Sequence, residues 1–328
     1  MIPVAKAHEV TIHSPSLAIV AFHSSPYPSH VQGGAVDIFG GKEFGTPVIS
    51  PVSGEVILID RSKVGKSRYF DSEPFDYIIA LKSKGVCVRI LHVEPEVEVG
   101  DSIEVSERLG SYIRTPLLPF WSYPHSHVEI KDCKDTASPL YAYPLDLMGS
   151  GEFQGSPEID FDTINAEVIL STENYIIVTP AIDVHAVIGY YWGVAVKVDD
   201  EFALLDAQCP WNCYGGLVLK DGSEVREGHL VKIGNVTLGS VIRRRGSLAT
   251  YALGGELGDG IDRYSKGLLF KDVNRFNVPN KRIKVNGEIF LGISTGLSLQ
   301  ENRTIKLVPT KPLEERYEEG EEVTIEFI

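Results

Sequence analysis

Short apolar runs broken by glycine, proline and polar clusters set the pattern of this chain, and sustained helical periodicity is almost absent. Residues 10–22 read as one or two strands, and the polar, twice-proline stretch 24–29 as a loop, because proline disfavours ladder pairing. A short strand, 35–38, ends at Gly40-Gly41, and 47–51 and 54–59 form two more around a Ser-Gly turn. The charged segment 62–74 reads as an exposed loop. Residues 77–82 and 86–93 flank Ser83-Lys84-Gly85 as a hairpin, and 97–103 turns tightly at Gly100-Asp101. A loop rich in proline and aromatics, 115–124, leads into a strand carrying His125 and His127. The pattern predicts an all-β protein.

Gly149-Ser150-Gly151 begins a linker-like stretch, which divides the chain into residues 1–148 and a second, mainly β region, 149–328, of unassigned role. Seven of the nine histidines precede Gly149, so chemistry that needs imidazole is expected in the first region. A weak repeat joins the two: Val97-x-x-Gly100-x-x-Ile103 returns as Val225-x-x-Gly228-x-x-Val231 and Tyr317-x-x-Gly320-x-x-Val323. It reads either as a turn common to β proteins or as the mark of a second, histidine-poor module of related architecture.

A length of 328 residues suits two domains with a full core. The net charge of −14 argues against a nucleic-acid partner, since no basic excess exists to displace phosphate counterions. Arg243-Arg244-Arg245 reads as a solvated turn. No apolar stretch reaches the roughly 18–20 residues of a membrane span, and no secretory signal stands at the start; the expectation is a cytoplasmic protein. Four cysteines are too few for a disulfide scaffold. Cys87 reads as a small buried hydrophobe, and Cys209-Pro-Trp-Asn-Cys213 as a turn with two free thiols or, alternatively, a metal-binding pair.

Candidate chemistry centres on Pro124-His125-Ser126-His127-Val128-Glu129-Ile130. Strand alternation puts His125, His127 and Glu129 on one face and Ser126, Val128 and Ile130 on the other. Two imidazoles and a carboxylate in parallel suit a metal site or proton transfer, since neutral imidazole ligates zinc and titrates near neutrality.

In order along residues 30–148, Ala35-Val36-Asp37-Ile38, Gly45-Thr46-Pro47-Val48, Pro51-Val52-Ser53-Gly54-Glu55-Val56, Ile90-Leu91-His92, Val99-Gly100-Asp101-Ser102-Ile103, Leu109-Gly110 and His125-Ser126-His127-Val128-Glu129-Ile130 resemble the lysostaphin/LytM-type zinc metallopeptidase domain. The resemblance implies a lysostaphin-like β-sheet domain with Asp37 and His127 as zinc ligands. It implies that His92 and His125 handle the attacking water and the developing oxyanion.

One position departs from that pattern. The family places its first ligand histidine four residues before the aspartate, where this chain has Gly33. His30 is seven residues away, and an odd offset faces the other way on an unbroken strand. It reaches the metal only if the backbone bends at Gly33-Gly34. His30-x-x-Gly33-x-Ala35-x-Asp37 resembles the longer zinc spacing of D-Ala-D-Ala peptidases, although Pro28 stands where that motif has serine. The expected function is a zinc-dependent endopeptidase or amidase acting on a small glycine- or alanine-containing peptide, with His30, Asp37 and His127 on the metal. The alternative is a degenerate, noncatalytic peptidase-like domain that serves as a binding or scaffolding module. Oligomeric state is not legible.

Overall fold

A computed structural model describes the 328-residue chain except residues 26, 68–69, 137, 139, 210–213 and 253–282. The protein is nearly all β, as its residue pattern predicts. It divides into two compact units, one of residues 1–22 and 27–148, the other of residues 149–328 with a short stretch beginning at His23.

The first unit contains β1 (Ile2–Ala7), β2 (Val10–Ser14), β3 (Ile19–Ala21), α1 (Pro28–Val31), β4 (Ala35–Phe39), β5 (Pro47–Ile49) and β6 (Gly54–Lys63). It continues with β7 (Phe75–Ser83), β8 (Val86–Leu91), β9 (Val93–Pro95), β10 (Ser102–Ile103), β11 (Arg108–Tyr112), β12 (Ser126–Lys131) and β13 (Asp146–Leu147). Its main sheet is antiparallel throughout, in the order β3-β4-β12-β8-β7-β6-β10. The histidine-bearing β12 is therefore central, between β4 and β8. Two three-stranded sheets, β5-β11-β9 and β13-β1-β2, complete the unit. The hairpin at Lys84-Gly85 has both residues at positive φ, the conformation that matches the twist of paired strands.

Three expectations are corrected by the fold. The stretch expected as a loop holds a helical turn: Pro28 opens α1, where a missing N–H goes unneeded because the first amides of a helix have no partner within it. Cys87 is buried, but it is bonded to Cys133 in a disulfide rather than being a free apolar side chain. The cross-link ties β8 to the turn that follows β12, 46 residues on. Cys213, with the side chain of Cys209, lies outside the described residues. Arg243–Arg245 form the exposed end of a strand, Val236–Arg245, rather than a turn.

In the second unit the described strands close twice. Thr163–Ser171 pairs with Ile176–Pro180 and Glu322–Phe327, and the ring runs back through Ile283–Val285, Glu288–Thr295 and Ile305–Pro309. Tyr191–Val198, Glu201–Cys209, Tyr214–Leu219, Leu248–Ala252, Val236–Arg245 and Leu230–Ile233 form a second ring. Closure removes exposed sheet edges, and alternating residues such as Ile164, Ala166 and Val168 fill the interior.

The weak repeat is one turn made three times. Gly100, Gly228 and Gly320 all have positive φ, near 101°, 90° and 85°. Each glycine N–H donates to a neighbouring strand, to the carbonyl of Val56, Val241 and Val168 respectively, at 2.8 Å. The same three valines donate back to the carbonyls of Asp101, His229 and Glu321. Only a residue without Cβ takes this conformation at little cost, which explains why glycine is the repeat's fixed member.

Candidate metal centre

The site begins with a chain reversal. Gly33 lies at φ +71° just past α1, with its N–H donating to the carbonyl of His30 while the Gly34 N–H donates to that of Ser29. This crossed pair of hydrogen bonds is the Schellman ending of a helix. Gly34 then passes so close to the Ala142 and Tyr143 backbone that a Cβ would meet the Ala142 side chain at 2.8 Å and both carbonyl oxygens at 3.2 Å. Strand β4 starts only after this bend, at Ala35. Because residues 28–34 are not extended, strand alternation does not govern them, and His30 turns to the face that Asp37 occupies.

Register supplies the rest. His127 lies directly opposite Asp37 across β12–β4 and opposite Leu91 across β12–β8, which brings His92 beside it. His125, His127 and Glu129 gather around this face, His125 immediately ahead of the strand. The Asp37 Oδ1 atom is 3.1 Å from His30 Nε2 and 2.9 Å from His127 Nδ1, and those two nitrogens are 3.1 Å apart. These three residues form a group able to hold a metal ion. Tetrahedral zinc with bonds of about 2.0–2.1 Å separates its ligand atoms by about 3.3 Å, so the triangle needs only slight expansion.

The outer hydrogen bonds define what these atoms are. His30 Nδ1 lies 2.7 Å from the Phe22 carbonyl, which only accepts, so this nitrogen carries the proton and Nε2 the lone pair. His127 Nε2 lies 2.7 Å from Glu129 Oε1, so in the neutral ring the lone pair is on Nδ1. Two imidazole lone pairs and a carboxylate oxygen then face one another, an arrangement that demands a cation, either a proton or a metal. The residues fit zinc, which favours neutral imidazole and carboxylate ligands whose outer N–H groups are held.

Electrostatics express the same demand. Burial pushes Asp37 up, but the His30 and His125 imidazoles and the hydrogen bonds from His127 and His30 outweigh it and hold the carboxyl well below its usual range. Burial pushes His127 down, but its bonds to Asp37 and Glu129 raise it to about 9. Burial also raises Glu129, yet His127, Arg89 and Lys131 together bring it to about 2. Arg89 Nη1 and Lys131 Nζ approach this carboxylate at 3.3 and 3.4 Å, and Ser29 Oγ donates to it at 3.0 Å.

The remaining two histidines border the group. His125 Nε2 is 3.6 Å from Asp37 Oδ2, and its Nδ1 lies 2.9 Å from the Tyr123 carbonyl. Burial lowers its pKa to about 4 against the pull of Asp37, which keeps the ring neutral. The His92 ring centroid lies 5.4 Å from that of His125 and 6.4 Å from that of His127, and its Nδ1 is 2.8 Å from Asp76 Oδ2. All five residues are at most 8% exposed.

Sequence reading missed Ser29, Arg89, Lys131 and Asp76. Only Arg89 and Lys131 carried a signal, as charged residues inside otherwise apolar strands.

A family model described as the N-terminal domain of a domain of unknown function, DUF8155, matches residues 11–141, less than half of the chain. No curated protein matches it. Among solved structures, the antimicrobial peptidase lysostaphin from Staphylococcus simulans is similar over 75% of this chain and 92% of its own, at 16% identity. The TM-score of that pair is 0.26, so the likeness carries no weight for fold or activity.

Proposed function

We propose that His30, Asp37 and His127 hold zinc and that the protein is a zinc metallopeptidase, an endopeptidase or amidase acting on a small glycine- or alanine-containing peptide. The observation that carries this reading is the convergence of three acceptor atoms, with the outer nitrogen of each imidazole already committed to another partner. Three protein ligands, rather than four, is the count of catalytic rather than structural zinc sites. Zinc, when bound, supplies a Lewis acid that polarises a carbonyl and acidifies water.

The chain's own residues supply the rest. Glu129, kept ionised by Arg89 and Lys131, holds the His127 ring in the ligating tautomer. His125, neutral near pH 7 with its Nδ1 proton on the Tyr123 carbonyl, is placed to accept a proton at Nε2. His92 is the second proton-transfer group. In this reading a peptide is the partner, and the Cys87–Cys133 cross-link supports an oxidising compartment rather than the cytoplasm.

The burial of all five residues favours a second reading, in which the domain is a noncatalytic, peptidase-like binding module. One experiment separates them. Protein purified without chelator is assayed for zinc and screened against short glycine-rich and alanine-rich peptides, before and after chelation and zinc restoration. About one zinc per chain with zinc-dependent cleavage supports the enzyme. Zinc without cleavage of any peptide supports the module. Failure to bind added zinc removes the metal from both.

A further inference from the structure

We propose that Asp76 is the positioning residue for His92, fixing the imidazole in the tautomer that places its lone pair on Nε2. The value of that tautomer for peptide cleavage rests on the zinc-peptidase reading; the tautomer itself does not. Asp76 is the second residue of β7, and the β7–β8 register, with Ile78 opposite Leu91, brings it beside His92 from 16 positions away. Its carboxylate is buried, and both oxygens accept: Oδ2 from His92 Nδ1 at 2.8 Å and Oδ1 from the Tyr77 backbone N–H at 2.8 Å.

His92 is held from the other end as well. Its backbone sits at φ +66°, a left-handed conformation that side-chain-bearing residues avoid, at the break between β8 and β9. Its carbonyl accepts from the Ile113 N–H at 3.1 Å. A disfavoured backbone persists where surrounding contacts over-determine it, and such residues cluster at working sites. Backbone and ring are thus both clamped, beside His125 and His127 but outside the Asp37 triangle.

The requirement for two acceptors makes the position sensitive to a one-atom change. An amide has one acceptor oxygen and one donor nitrogen. If, in Asp76→Asn, the amide oxygen keeps the Tyr77 N–H, the amide NH₂ faces His92 Nδ1 and forces the proton onto Nε2, the atom that must take a proton.

The test is ¹⁵N NMR of histidine-labelled full-length protein, with the His92 signal assigned by its loss in His92→Gln. Wild-type protein is expected to show Nδ1 protonated, Asp76→Asn the reversed tautomer, and Asp76→Glu the wild-type one. In Asp76→Asn, kcat is expected to fall about 10²–10⁴-fold, the range for a positioned acid or base, with zinc content and KM unchanged. Nε2-protonated His92 in the wild type overturns the proposal, even if the asparagine variant does not fold. So does an unchanged tautomer in Asp76→Asn. A reversed tautomer with unchanged kcat upholds Asp76 as the residue that positions His92 and overturns only the value of that tautomer for cleavage. If the wild type neither binds zinc nor cleaves peptides, the peptidase reading fails on its own, while the wild-type tautomer still decides whether Asp76 governs His92.

Discussion

Both units bury a histidine against a carboxylate, and they do so to opposite effect. In the second unit His23 Nδ1 lies 2.9 Å from Asp206 Oδ2, and its Nε2 lies 3.1 Å from Thr250 Oγ1. Both nitrogens are matched within the fold, and all three residues are buried. Gly216 packs against the ring so closely that a Cβ would fall 2.1 Å from Nδ1. The order hydroxyl–imidazole–carboxylate is that of a nucleophilic triad, yet Thr250 is only 4% exposed. In the first unit the outer nitrogens of His30 and His127 are matched and the inner ones meet acceptors. A buried histidine indicates structure when its hydrogen bonds close on themselves. It leaves a place for a cation, a proton or a metal, when they leave lone pairs facing each other.

The widest separation between the two regions is expected in zinc. His127→Ala and His30→Ala should each remove most bound zinc, whereas His23→Ala should leave about one per chain, measured by elemental analysis. Equal loss in all three variants would erase the distinction. Next comes turnover on any peptide the screen identifies: His125→Ala should lower it about 10²–10⁴-fold with zinc retained. Metal loss in that variant would mean that ligand and proton carrier have been exchanged.

Stability inverts the ranking. His23→Ala leaves the Asp206 carboxylate buried without its imidazole and should destabilise by about 3–5 kcal/mol in denaturant titration. A cost below the scatter of surface substitutions would remove its structural role.

The metal-free first unit should also respond to pH. His127 has a folded pKa of about 9, above its ordinary 6.5, so its protonated form contributes stability that is complete below about 6.5 and lost as pH rises through 9. His125, lowered to about 4, acts in the other direction: stability present above 6.5 is lost as pH falls through 4. Chelated protein should therefore lose stability on both sides of neutrality, and zinc should suppress the alkaline loss. The smallest effect is expected at Gly33→Ala. No atom lies within 4 Å of the new Cβ, so only the left-handed backbone opposes it, by about 1–2 kcal/mol.

The all-β character, the hairpin at Lys84-Gly85 and the shared face of His127 and Glu129 were legible because strand alternation and turn chemistry are local. Asp37, His92 and His127 stood out through the order of motifs around them. The pairing of Cys87 with Cys133 was not legible, since β8 and β12 become neighbours only when the sheet forms. Asp76 was equally silent: it is one polar residue at the start of a strand until the β7–β8 register sets it against His92.

His30 marks the boundary between the two kinds of information. Residue order alone established that an odd offset from Asp37 requires a bend and that Gly33-Gly34 could provide it. That the bend exists is a property of the folded chain, because a helical turn opened by Pro28 must end somewhere. The close approach of the Ala142 and Tyr143 carbonyls, more than 100 residues on, then leaves room only for glycine at position 34. Periodicity reports which way a side chain faces while its backbone stays regular; once the chain reverses, only packing against distant residues says where it points.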